Sequence, residues 1–168
     1  MVNIKIRAGR ADDLTRLHPV IERAYRGEEA RVGWTHEADL LDGQRTDLST
    51  LQTILADRTM KLLIAFDEDA PIGCVQVSDH GGGTAYLGLL CIEPRLQAAG
   101  LGRQLIAAAE GHARDAFGAV RIEMTVIENR AELISYYVRR GYARTGERRD
   151  FPIAVEPPLF MAVLAKPL

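Results

Sequence analysis

The sequence predicts an α+β domain in three layers, α/β-like in carrying helices on both faces of one central sheet that is mixed but mostly antiparallel. Two observations carry this. Lys61 to Phe66, Ile72 to Val77 and Tyr86 to Ile92 are strand-like runs joined by turn sequences, which makes a meander. A helix-like run from Leu101 to Phe117 follows, and then Val120, Ile122, Met124 and Val126 alternate strictly, which makes a crossover through a helix to a further strand. A meander followed by a helical crossover gives a mixed sheet covered by helices, not a fully parallel doubly wound one.

In chain order, Ile4 and Ile6 alternate with polar residues and form a first strand. Asp12 or Asp13 caps a helix whose apolar side carries Leu14, Leu17, Val20, Ile21 and Tyr25 and which ends near Gly27. From Arg26 to Arg45 the pattern dissolves into polar residues and glycines, which reads as a long loop; Leu48, Leu51, Ile54 and Leu55 then return at helical spacing. The acidic stretch Asp67-Glu68-Asp69-Ala70-Pro71 turns the first hairpin, and His80-Gly81-Gly82-Gly83 turns the second. Pro94 stops the strand that precedes the long helix, and Gly118 ends that helix. A short helix from about Arg130 to Arg140 ends at Gly141, Tyr142 to Arg148 is polar enough for an edge strand, and Leu159 to Ala165 is the last strand. No repeat or linker divides residues 1–168, so one domain is expected, and a chain of this length buries a core without staples.

Bulk composition narrows the function. With 47% hydrophobic and 26% charged residues and a net charge of -2, the chain is an ordinary globule with no electrostatic footprint for nucleic acid. No apolar run reaches membrane-spanning or signal-peptide length, so a cytoplasmic protein is expected. Cys74 and Cys91 lie in apolar strand-like runs without metal-ligand or C-x-x-C spacing, which points to buried thiols and to no metal site.

Gln97-Ala98-Ala99-Gly100-Leu101-Gly102-Arg103 stands between a strand and a helix. Glycine takes backbone angles closed to other residues and lets successive N–H groups approach an anion at a helix start, where the dipole favours negative charge. Glycine in a helix's first turn costs about 1 kcal/mol relative to alanine, so its use there asks for another reason. A pyrophosphate fits such a cradle. The third glycine of the dinucleotide fingerprint is missing, and the loop follows a meander instead of opening a βαβ unit, which argues against a dinucleotide enzyme.

These residues resemble the GNAT superfamily of acyl-CoA N-acyltransferases. Leu89-Leu90-Cys91-Ile92-Glu93-Pro94 leading into Gln97, Gly100 and Gly102 matches the first signature at full spacing, and Tyr137-Val138-Arg139-Arg140-Gly141-Tyr142 supplies the second, with Met161 in the last strand also typical. The resemblance covers almost the whole chain. It implies a GNAT-type sheet with a splayed acyl-CoA cleft, in which Leu90, Cys91 and Ile92 offer backbone groups to the pantetheine arm. It implies that Gln97, Ala98, Ala99, Gly100, Leu101, Gly102 and Arg103 hold the pyrophosphate of acetyl-CoA, and that Tyr137 is the general acid. A phenol suits a thiol leaving group, since its ordinary pKa of about 10 lies near the ~8.5 of a thiol. One position departs from the family. Where it carries an asparagine seven residues before the tyrosine, this chain has Arg130, with Asn129 just before it, so either Arg130 or Asn129 contacts the cofactor.

The expected reaction is acetyl transfer from acetyl-CoA to a primary amine by direct attack in a ternary complex, without an acylated Cys91. A protonated amine cannot attack, and Glu37 and Glu123 are the carboxylates considered as base. The loop containing Arg31, Trp34 and Glu37 supplies the expected acceptor wall; Arg31 or Arg45 suits an acceptor carrying a carboxylate. The acceptor is a small-molecule or peptide amine, and a homodimer is the expected assembly by resemblance. A non-catalytic acyl-CoA-binding or sensing module is the alternative that the Arg130 departure leaves open.

Overall fold

The structure is a computed structural model and describes residues 3–25, 46–96, 100–152 and 154–168. Its strands are β1 (Ile4–Ala8), β2 (Met60–Asp67), β3 (Ala70–Asp79), β4 (Thr84–Ile92), β5 (Arg121–Ile127), β6 (Ala143–Asp150) and β7 (Phe160–Pro167), and its helices α1 (Leu14–Tyr25), α2 (Leu48–Ala56), α3 (Leu101–Phe117) and α4 (Ala131–Arg139). One sheet runs in the order β1-β2-β3-β4-β5-β7-β6. Neighbours are antiparallel except β4 and β5, which are parallel because α3 carries the chain across between them.

Alternation along the strands sends two sets of apolar side chains to opposite faces. Leu63, Val75, Val77, Leu87, Ile122, Met124 and Leu164 pack with Leu105, Ile106 and Ala109 of α3 and Ile134 of α4. Leu62, Ile64, Phe66 and Cys74 pack on the other face with Leu17, Ile21, Leu51 and Ile54 of α1 and α2. This is the expected three-layer arrangement, with β7 slotted between β5 and β6 so that β6 lies at the edge.

Two local expectations are corrected. Asp13 does not cap α1 from in front. A 3-10 turn over Ala11–Asp13 precedes the helix, and the buried Asp13 carboxylate accepts the Arg10 N–H at 2.8 Å and both terminal nitrogens of Arg7 at 2.8 and 3.0 Å. The hydrogen bond from Arg7 is the largest influence on that carboxyl and holds its pKa below the ordinary value. The first hairpin turn is also tighter than the acidic stretch suggested. Asp67 pairs with Ala70, Glu68 turns at φ 55°, and Pro71 belongs to β3 opposite Phe66, beside a register shift that absorbs its missing N–H. No described helix is long and apolar enough to cross a membrane, and no metal-binding cluster occurs among the described residues.

Candidate active site

The site begins where two parallel strands stop pairing. β4 and β5 are in register only at Thr84 with Arg121, Ala85 with Ile122 and Tyr86 with Glu123, although β4 runs on to Ile92 and β5 to Ile127. Beyond Tyr86 the strands diverge into a cleft of about 140 Å³, lined by residues 87–90 of β4, residues 124–127 of β5 and Arg130, Leu133 and Tyr137. Tyr25 at the end of α1 and Met161 of β7 complete the lining. At the point of divergence the hydroxyls of Tyr86 and Thr125 share a hydrogen bond of 2.5 Å, and His80 stacks on the Tyr86 ring with centroids 5.1 Å apart.

β4 bends into this shape through a bulge. Cys74 faces Cys91 and Gln76 faces Gly88, so Val75 alone stands opposite Leu89 and Leu90. Leu89 adopts φ 50°, an angle that costs a non-glycine residue about 1–3 kcal/mol and persists only where surroundings enforce it. The bulge reverses the alternation: Leu87 and Leu90 belong to the core beneath α3, whereas Leu89 and Cys91 belong to the core beneath α1.

The N-terminus of α3 lies beyond the end of β4. Gly100 is the helix N-cap at φ 85°, and a Cβ there would meet nothing within 4 Å, so the backbone angle is what requires glycine. The Gln104 N–H reaches back to the Gly100 carbonyl at 3.2 Å, which leaves the amides of Leu101, Gly102 and Arg103 as the helix's orphan donors. Gly102 answers to a different constraint. A Cβ on it would lie 2.8 Å from the Tyr136 hydroxyl and 3.0 Å from Ile92 Cδ1, so this glycine lets α4 and the end of β4 close on the first turn of α3.

Tyr137 is 6% exposed and its ring lies edge-on to those of Tyr136 and Tyr142, with centroids 5.4 and 6.1 Å away. Its hydroxyl has no hydrogen-bond partner among the described residues, and burial, the largest influence, pushes its pKa well above the ordinary phenol value. The second-signature aromatic, Tyr142, anchors this arrangement. Its N–H donates to the Tyr137 carbonyl at 3.1 Å, its hydroxyl donates to Glu110 of α3 at 2.9 Å, and Lys166 Nζ joins Glu110 to the Arg140 carbonyl. The C-terminus of α4 is thereby fixed to α3 and β7.

The other expected site residues are distributed unevenly. Leu90 lines the cleft; Cys91 is buried beneath α1 with its Sγ 3.4 Å from that of Cys74, and Ile92 packs on the first turn of α3. Arg130 is the N-cap of α4 and lines the cleft, whereas Asn129 is exposed. Glu123 stands outside the cleft lining, its carboxylate shared between Arg121 at 3.2 Å and Arg149 at 3.4 Å. Gln97, Ala98, Ala99, Arg31, Trp34, Glu37 and Arg45 lie outside the described residues. Sequence reasoning did not single out Tyr25, Tyr86 or Thr125 for the cleft. No pattern in the sequence marks them, because the apolar run Leu89-Leu90-Cys91-Ile92 reads the same in a regular strand buried on both faces as in the bulge around which they gather.

Comparison with known proteins agrees with this fold. The fold is similar to that of a ribosomal-protein-S18-alanine N-acetyltransferase from Escherichia coli, at TM-score 0.75 and 15% identity over 98% of this chain and 94% of that one. It is similar to a putative acetyltransferase from Salmonella typhimurium solved with its cofactor acetyl-CoA, at TM-score 0.75 and 17% identity over 99% and 94%. A spermidine N-acetyltransferase chimera containing Vibrio cholerae sequence superimposes at TM-score 0.74 and 16% identity over 98% and 95%. No curated protein matches the chain by sequence. The family model for acetyltransferases of the GNAT type matches residues 20–142, which is more than half of the sequence and includes both the glycine loop and Tyr137. The chain therefore belongs to the acetyltransferase (GNAT) family.

Proposed function

We propose that this chain transfers an acetyl group from acetyl-CoA to a primary amine of a small molecule or peptide, by direct attack within a ternary complex. The observation that supports this most is Tyr137, a buried phenol without a partner among the described residues, lining the cleft between strands that have stopped pairing. The residues present fit acetyl-CoA. Orphan amides at Leu101, Gly102 and Arg103 suit a diphosphate, and the unpaired edge of β4 at residues 87–90 suits the amides of a pantetheine arm. When bound, acetyl-CoA supplies an acetyl group activated as a thioester.

In this reading the cleft walls hold the thioester beside Tyr137. The acceptor nitrogen forms a bond to the acetyl carbon as the carbon–sulfur bond breaks. Glu37 takes the ammonium proton before attack, Tyr137 gives its hydroxyl proton to the departing sulfur, and the second amine proton, released as the amide forms, passes through solvent to the phenolate and restores the phenol. Arg130, at the cleft wall, adds positive charge where negative charge develops. Glu123 is given no proton-transfer role because Arg121 and Arg149 already occupy its carboxylate, while Glu37 keeps the expected role of base. The edge strand β6 is the proposed contact for a homodimer.

The test is a panel of amine acceptors, including polyamines, amino acids and peptide N-termini, followed by release of the CoA thiol. Acceptor-dependent thiol release that falls sharply in Tyr137→Phe supports the reading. Tight CoA binding with no acceptor-dependent release across the panel would favour the non-catalytic binding module.

A further inference from the structure

The β4 bulge leaves two consecutive backbone carbonyls outside the regular ladder, and two side chains take them up. The Cys74 thiol donates to the Leu89 carbonyl at 3.5 Å, and the Tyr25 hydroxyl donates to the Leu90 carbonyl. Neither donor is local: Tyr25 comes from the last turn of α1 and Cys74 from the adjacent strand β3. Both acceptors flank the Leu89–Leu90 link that forms the cleft wall, and Leu89 is the residue held at φ 50°. A second tie holds α1 in place over the same strand, since Arg23 grips Glu93 through two hydrogen bonds of 2.9 and 2.7 Å just past the end of β4.

We propose that Tyr25 and Cys74 are positioning residues that latch the β4 bulge, fixing the direction in which its peptide groups face the cleft and so its grip on the acyl-CoA. A left-handed Leu89 relaxes toward ordinary extended angles unless something opposes it, and relaxation would re-register residues 87–90 against β3. Two hydrogen bonds to carbonyls that the ladder has abandoned oppose it directly. Tyr25 carries most of the effect because an O–H is a much stronger donor than an S–H. The latch also makes α1 part of the cofactor site, since any movement of its last turn is felt at the Leu90 carbonyl.

This inference rests on reading the β4–β5 cleft as the acyl-CoA site, and the experiment separates the two. Amide hydrogen exchange of residues 89–91 in the ligand-free protein is measured for wild type, Tyr25→Phe and Cys74→Ala, alongside acetyl-CoA and acceptor KM values. Leaving a buried carbonyl unsatisfied predicts exchange at residues 89–91 faster by about tenfold in Tyr25→Phe, with a comparable rise in acetyl-CoA KM and an acceptor KM within about twofold. Cys74→Ala shows the same pattern at about threefold, as expected for the weaker donor. A residue that merely supports the fold would speed exchange throughout α1 and α3 and leave acetyl-CoA KM unchanged, and that result overturns the latch. Unchanged exchange at residues 89–91 in Tyr25→Phe also overturns it. If the wild type shows no affinity for CoA, the cleft reading fails, while the exchange rates still decide the latch.

Discussion

Tyr137→Phe removes one oxygen, and the structure assigns that oxygen opposite effects on stability and on turnover. The hydroxyl is buried without a hydrogen-bond partner among the described residues, and an unpaired buried hydroxyl costs roughly 1–3 kcal/mol. The ring contacts with Tyr136 and Tyr142 survive the change, so the variant keeps its packing and loses the penalty. At about 2–4 °C per kcal/mol for a chain of this size, melting should rise by a few degrees. Turnover should move the other way. A positioned general acid contributes roughly 10²–10⁴-fold, so kcat should fall by about that factor while the KM for acetyl-CoA stays near the wild-type value. Scanning calorimetry and a thiol-release assay at saturating acetyl-CoA measure the two effects on one preparation. A variant that melts lower and retains turnover within about twofold would make Tyr137 an ordinary packing aromatic and refute the reasoning.

Gly102→Ala places a methyl 2.8 Å from the Tyr136 hydroxyl and should weaken CoA binding by about tenfold through displacement of the first turn of α3; calorimetric titration should show partial recovery in Gly102→Ala combined with Tyr136→Phe. Cys91 is buried beneath α1 and outside the cleft lining, so mass spectrometry during turnover should find no acetyl on it, and acetyl-Cys91 at turnover-competent levels would contradict direct transfer. Asp13 is held below its ordinary pKa chiefly by Arg7, so its contribution to stability is present above the unfolded value of about 3.9 and is lost as pH falls through the folded value. Asp13→Asn should therefore melt lower at neutral pH and show a shallower loss of stability below about pH 4; parallel melting profiles would contradict this.

Much of the scaffold was legible because period and punctuation agree. The alternation of Ile122, Met124 and Val126 marks β5, and Gly118 stands at φ 64° as the C-cap of α3. Gly100 was readable as a backbone position, and it adopts φ 85° at the helix start. Gly102 was not readable in the same way, because its requirement comes from Tyr136, which is far away in sequence. The bulge in β4 was hidden for a related reason. A buried strand in the middle of the sheet is apolar on both faces, so Leu89 and Leu90 conceal a change of register that alternating polar residues would have exposed. Tyr25 reads as one more apolar position on α1, and only the fold brings its hydroxyl to Leu90. Glu123 carried the opposite ambiguity: its partner Arg149 is supplied by β6, and chain order alone does not place β6 beside β7.

A crystal structure with CoA bound tests the central claim most directly. The account predicts the diphosphate within hydrogen-bond distance of the amides of Leu101, Gly102 and Arg103, the pantetheine arm along residues 87–90, and the sulfur within hydrogen-bond reach of the Tyr137 hydroxyl. Nucleotide bound elsewhere on the chain, or a sulfur turned away from Tyr137, would contradict it.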